Sequence, residues 1–148
     1  MADAPSVVSV ALTRDAIYLP ALVSALPGPA DGAVATFVGV VRDNHDGRAV
    51  SHLEYEAHEP MALRQMGLLG EQAMARWGLS AVTLEHRLGR LEIGDISVFV
   101  GVASPHRAEG LEACHWLIDT LKAEVPVFKR EFFLDGGTSW VEEEAPAL

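Results

Sequence analysis

Basic side chains stand in short, specific settings in this sequence. Ser104-Pro105-His106-Arg107 opens a long amphipathic run, Lys122 lies near the end of that run, and Val127-Phe128-Lys129-Arg130-Glu131 follows a proline. Arg42 closes a separate apolar stretch. A helix N-terminus offers free N–H groups and a positive dipole end, so His106 and Arg107 placed there suit the binding of an anion. Without a ligand, cations at that end are disfavoured by roughly 0.3–1 kcal/mol each. Alternatively, Glu109 and Glu112 neutralise them and the group is solvated. Lys122, in the last turn, is where a cation is expected in any case. Lys129 and Arg130 are neighbours on an extended segment, so they point to opposite faces and only one can serve a given pocket. Arg42 ends a strand before a polar loop, a common place for functional groups. The other possibility is a solvated strand terminus.

The positioning elements follow from periodicity. Ser104 is a suitable N-cap and Pro105 a suitable first helical residue. Leu111, Cys114, Ile118, Leu121 and Val125 repeat at steps of three and four, one apolar stripe of a helix that Pro126 ends. Val7 to Leu12 reads as a strand, with Thr13 capping a helix from Arg14 to about Leu26. Gly32 to Arg42 is an apolar strand, and Asp43 to Arg48 is a polar, turn-rich loop. Val50 to Ala57 alternates as a half-exposed strand. Glu59-Pro60 opens a second helix that runs to Trp77 and stops at Gly78. Val82 to Leu88 and Ile96 to Ala103 are strands separated by Gly89 and a Glu92–Asp95 turn. Strands near Val127–Leu134 and Ser139–Glu142 close the chain across Asp135-Gly136-Gly137, a hairpin signal. The order of elements predicts an α+β fold with a mixed or antiparallel sheet and three main helices.

The length of 148 residues, 49% of them apolar, fits one domain over 1–148 with a full-sized core. The sole cysteine, Cys114, falls on the helix stripe and reads as a core residue, which excludes an intrachain disulfide and a cysteine-rich metal site. Met-Ala-Asp-Ala-Pro lacks a basic start and an apolar run, and no stretch approaches the ~20 apolar residues of a membrane span. A cytoplasmic protein with no membrane partner is expected. A formal net charge of −10 argues against nucleic acid. The few basic residues in defined settings suggest a pocket for a small anion instead.

Common motifs are missing. There is no phosphate loop, no dinucleotide fingerprint and no nucleophile elbow. Gly39 within Phe37–Val41 fits close strand packing. His45, His52 and His58 lack ligand spacing and read as surface histidines. His86 reads as structural and His115 as a packed helix residue. No metal and no cofactor are expected.

Taken together, these segments resemble the large, catalytic subunit of molybdopterin synthase. The matching pieces are Phe37-Val38-Gly39-Val40-Val41-Arg42, Leu53-Glu54-Tyr55-Glu56, His86-Arg87-Leu88-Gly89-Arg90-Leu91, Gly94-Asp95, Val98 through Arg107, Leu121-Lys122, Pro126 through Glu131, and Trp140-Val141. They run in the family's order from about residue 30 to 142. The resemblance implies an α/β hammerhead fold and a homodimer. It implies a small ubiquitin-like sulfur carrier at each end, making a heterotetramer. The carrier's C-terminal Gly-Gly thiocarboxylate would donate sulfur to cyclic pyranopterin monophosphate, and two transfers would build the dithiolene of molybdopterin. By the same resemblance, Lys122 and Lys129 match catalytic positions, and Arg42, His106, Arg107 and Arg130 match substrate-pocket positions. Where some members carry a basic residue after the Trp-Val pair, this chain has Glu142-Glu143-Glu144.

The resemblance agrees with the residues. A cyclic phosphate calls for cations and a helix N-terminus, and a carrier that brings the sulfur removes the need for a cysteine nucleophile. Amines set among other cations can work as acid, base or nucleophile. Two other classes compete: a non-catalytic anion-binding or scaffold paralogue, which should have lost Lys122 or Lys129, and a nucleotide-binding module, which should show a phosphate loop. Arg107 and Lys122 are fifteen residues apart, roughly 22 Å along one helix at 1.5 Å per residue. If both serve one small substrate, one of them comes from a second copy of the chain.

Overall fold

The computed structural model describes residues 7–141. The Glu142-Glu143-Glu144 run lies outside them. One sheet has the order β1 (Val7–Thr13), β5 (Ala81–Arg87), β7 (Ile96–Ser104), β2 (Ala33–Val40). Its β1–β5 pair is parallel and its other pairs are antiparallel. A second, antiparallel sheet has the order β3 (Asn44–His45), β4 (Arg48–Ala57), β8 (Val127–Phe133), β9 (Thr138–Val141), and β6 (Gly89–Glu92) pairs with β4 over His52–Tyr55, beyond the stretch that β3 pairs. Three helices complete the fold: α1 (Leu19–Ser24), α2 (Glu59–Trp77) and α3 (Arg107–Glu124). The expected α+β class with mixed and antiparallel sheets and three helices is what forms.

Strand β7 is the spine. Its residues alternate between two apolar layers, as a strand must. Val98, Val100 and Val102 face the main core with Leu69 of α2 and Leu117 of α3, whereas Phe99 and Ala103 face a smaller cluster with Ile17 and Leu26. Burial on both faces explains why Ile96 to Ala103 reads as a continuous apolar run rather than an alternating one. Helix α2 keeps the bounds its sequence predicts. Gly78 closes it at φ 62°, ψ 41°, the left-handed conformation that glycine adopts without steric cost.

Several boundaries move. Helix α1 begins at Leu19, with Pro20 in its first turn, because proline's fixed φ suits a helix start. Thr13 is therefore not its cap; it stays in β1, and its hydroxyl accepts the Asp15 N–H at 3.1 Å. Helix α3 begins after His106, which is the N-cap residue in extended conformation. Ser104 remains in β7, fully buried, and its hydroxyl donates to the His106 carbonyl at 2.6 Å. The buried stripe of α3 is Gly110, Ala113, Cys114, Leu117, Ile118 and Leu121, while Leu111 is 61% exposed. The Asp43–Arg48 loop is a tight hairpin instead: Asp46 and Gly47 have φ of 50° and 81°, the positive pair of a two-residue turn whose twist matches the strands. Gly89 to Glu92, expected to be a separator, pairs with β4.

His86 marks the seam between the two sheets. It lies on β5, only 5% exposed, with its ring edge-on to Tyr55 of β4 at 4.8 Å between centroids. Its Nδ1 donates to the Arg87 carbonyl at 2.8 Å. Burial is the main reason its pKa falls from 6.5 to about 4; the hydrogen bond opposes the shift and the positive charge of Lys122 adds to it. The unfolded chain takes up this proton near pH 6.5 but the folded chain refuses it until about pH 4. The stability linked to His86 is thus complete above pH 6.5 and is lost as pH falls towards 4, by about 3 kcal/mol in all. Urea titrations across that window should show the loss, and His86→Gln should flatten it; an unchanged slope in the variant would remove His86 as its source.

Candidate functional site

The chain contains only two lysines, Lys122 and Lys129, and both line one cavity of about 420 Å³. Arg42 lines it too. Each cation arrives on a different element. Arg42 follows the end of β2, where the Val41 N–H donates to the Asp95 carbonyl at 2.9 Å and the Val41 carbonyl accepts the Gly94 N–H at 2.8 Å. Those bonds fix the backbone at the base of Arg42. Lys122 stands on the last turn of α3, which is pinned by Leu117 and Leu121 packed in the core. Pro126 then ends the helix, and Val125 and Val127 are both buried on either side of it. Lys129 follows on the inward face of β8 with Val127 and Glu131, which share the cavity wall.

The rest of the wall is mixed. Phe37, Leu53, Val98 and Ile118 supply apolar surface, and Tyr55, His86 and Ser97 supply buried polar groups. A deep pocket with an apolar lining and a few converging polar and charged groups is the usual form of a small-molecule site. Cys114 does not reach it. Its thiol is buried, and burial pushes its pKa up to about 11, which makes a thiolate nucleophile unfavourable.

The other expected site residues lie elsewhere. Arg130 is on the opposite face of β8, as alternation requires. Its guanidinium sits 4.9 Å from the Phe132 ring and 5.6 Å from the Trp140 ring. His106 and Arg107 are exposed at the N-terminus of α3, the far end of the helix from Lys122. Among the described residues neither Glu109 nor Glu112 pairs with them; Glu112 accepts the Trp77 indole N–H at 3.1 Å instead. The single chain therefore separates the expected basic site residues into a cavity set, a helix-end set and Arg130 on the outer face of β8. His86, Tyr55 and Glu131 belong to the cavity as well. Alternation along β8 signals Glu131 once Lys129 is fixed, whereas no local pattern signals His86 or Tyr55.

The profile of the MoaE protein family matches residues 12–124. The molybdopterin synthase catalytic subunit of Nostoc sp. is 44% identical over 113 residues, which cover 76% of this chain and 68% of the relative. The crystal structure of molybdopterin synthase from Staphylococcus aureus superposes with a TM-score of 0.83 at 33% identity, covering 88% of this chain and 94% of that one. A complex of subunits 1 and 2 of molybdopterin-converting factor from Helicobacter pylori contains a chain with the same fold, at TM-score 0.75 and 21% identity over 93% of each. The match spans the wall that carries Arg42, the whole of α3 with Lys122, and both faces of the β7 spine, and on that ground this chain belongs to the MoaE family of molybdopterin synthase catalytic subunits.

Proposed function

We propose that this chain, acting as one domain in the cytoplasm, transfers sulfur to cyclic pyranopterin monophosphate to make molybdopterin. The observation that carries it is the convergence of both lysines and Arg42 on one cavity in a chain of net charge −10. The sulfur comes from the C-terminal thiocarboxylate of a small ubiquitin-like carrier ending in Gly-Gly. In each transfer the carrier's carbon–sulfur bond breaks and water restores its carboxylate, while at the pterin side chain a carbon–sulfur bond replaces a carbon–oxygen bond, whose oxygen leaves as water or stays on the opened phosphate ester. Two transfers complete the dithiolene. Support for such a carrier is the two-subunit complex formed by the Helicobacter pylori protein of like fold.

Lys122 and Lys129 are the groups that move protons or attack as amines. Arg42 holds the phosphate beside them. The apolar wall admits the pterin ring and excludes water, which strengthens each charge interaction inside. Cys114 takes no part, because the sulfur enters on the carrier. A non-catalytic paralogue of the same fold is the weaker alternative, since such a chain has no reason to keep its only two lysines in one cavity.

The helix-end set completes the site from a second copy. Arg107 is at one end of the α3 rod and Lys122 near the other, roughly 22 Å apart. Side chains cannot close that gap within one chain. A two-fold homodimer, with a carrier on each copy, would bring His106 and Arg107 of one protomer to the Arg42–Lys122–Lys129 cavity of its partner. Arg130 stays on the outer face of β8, against Phe132 and Trp140.

Purified chain mixed with thiocarboxylated carrier and the pterin precursor should form molybdopterin; no product from the folded native chain would refute the assignment. Lys122→Ala should cut turnover by orders of magnitude with folding and carrier binding retained, whereas Cys114→Ser should stay active at some cost in stability. Mixed dimers test the shared site. Arg107→Ala and Lys122→Ala chains, each inactive alone, should regain up to half of the native activity per heterodimer. Heterodimers that form without recovering activity would mean that the two sets act within one chain or that one of them is not part of the site.

A further inference from the structure

One contact crosses from the β3–β4 hairpin into the cavity wall. His45, at the end of β3, is hydrogen-bonded through Nδ1 to Oε1 of Glu131 on β8. Glu131 is 3% exposed and lines the lysine cavity. An ionised carboxylate only accepts, so His45 is the donor. Its other ring nitrogen, Nε2, faces Oδ2 of Asp46 in the turn at 3.4 Å.

Glu131 and Lys129 share one face of β8, two residues and so about 7 Å apart along the strand. That is within joint reach of a glutamate and a lysine. Even so, Lys129 forms no ion pair among the described residues, and Glu131 is taken by His45. The hairpin that delivers His45 is itself anchored. Arg48 donates through Nε and Nη2 to both oxygens of Asp135, each at 2.8 Å, and its guanidinium lies 3.7 Å above the Phe133 ring. Those bonds hold the Asp135 carboxyl down at about 2. The tight Asp46-Gly47 turn leaves the hairpin little freedom between its two attachments.

A buried carboxylate without a partner is costly and draws the nearest cation. A lysine paired with a carboxylate holds its proton more firmly and reacts more slowly as an amine. We propose that His45 is a positioning residue of the lysine cavity: by holding the Glu131 carboxylate it keeps that charge from pairing with Lys129 and leaves the Lys129 amine available for reaction. The role in turnover rests on the function proposed above; the state of the Lys129 amine does not.

Because the chain has only two lysines, labelling with a limiting amine reagent and peptide mass spectrometry reads each separately. His45→Phe keeps the ring volume and removes the donor, whereas His45→Asn keeps a donor near the Nδ1 position. In folded protein, His45→Phe should slow Lys129 labelling about threefold or more. His45→Asn should stay near the native rate, and kcat should fall in His45→Phe but recover in His45→Asn. Native labelling of Lys129 in His45→Phe, or equal slowing in both variants, would overturn the proposal. Should His45→Phe yield too little folded protein, Glu131→Gln with native His45 serves. Loss of the charge should leave Lys129 labelling at or above the native rate, and slower labelling would count against the proposal. Labelling needs neither carrier nor pterin, so it stands even if the native chain makes no molybdopterin.

Discussion

The break at Pro126 is the constraint on which the site depends. A helix cannot continue through it, and the residue before it is forced out of helical geometry; Val125 has ψ of 129°. The chain passes from α3 to β8 between two buried valines, so neither element can slide without exposing apolar surface. Lys122 is fixed on one side of the break and Lys129 on the other. The break converts a helix residue and a strand residue seven positions apart into two walls of one cavity. The same packing leaves the thiol of Cys114 inside the core and the two amines outside it.

The cavity lies where the two sheets meet, and that position explains its chemistry. Strands β2, β5 and β7 supply one side, and β4 and β8 the other. A seam between sheets is apolar by default, and two of the polar groups found there are held by hydrogen bonds. His86 gives its Nδ1 hydrogen to a backbone carbonyl and stays neutral, while Glu131 accepts from His45. Held in this way, the Glu131 carboxylate competes less with an anionic ligand for the cations that share the wall. An acidic chain can in this way keep a local site of positive charge.

Helix α3 links the two ends of the molecule. Its buried stripe needs Gly110 near the start, because an added Cβ would lie 2.7 Å from the Ser104 hydroxyl. Close packing there sets where the N-terminus emerges, and His106 and Arg107 emerge with it, exposed and without a carboxylate partner among the described residues. The rod is too long for one small ligand to touch both ends. Under the function proposed above, a site that used both ends would draw them from two copies of the chain.

Much of this was legible in the sequence. The long apolar run of β7, the bounds of α2 between Glu59-Pro60 and Gly78, and the halt of α3 at Pro126 are local consequences of burial, capping and proline geometry. Alternation alone placed Lys129 and Arg130 on opposite faces. Other features were not legible, because they depend on partners distant in the chain. The β3–β4 hairpin was not legible although Asp46-Gly47 is a turn signal, since β3 is only two residues long and shows no pattern apart from β4, with which it pairs. The short strand β6 forms only because β4 offers it an edge. The seats of His86 and His45 were likewise decided by tertiary structure: each looks like an ordinary histidine until the fold brings Tyr55 to one and Glu131 to the other. Local sequence determines which elements form and which residues face together. Only the meeting of two sheets decides which of those residues lose water, and it is the loss of water that gives a histidine, a glutamate or a lysine its chemistry.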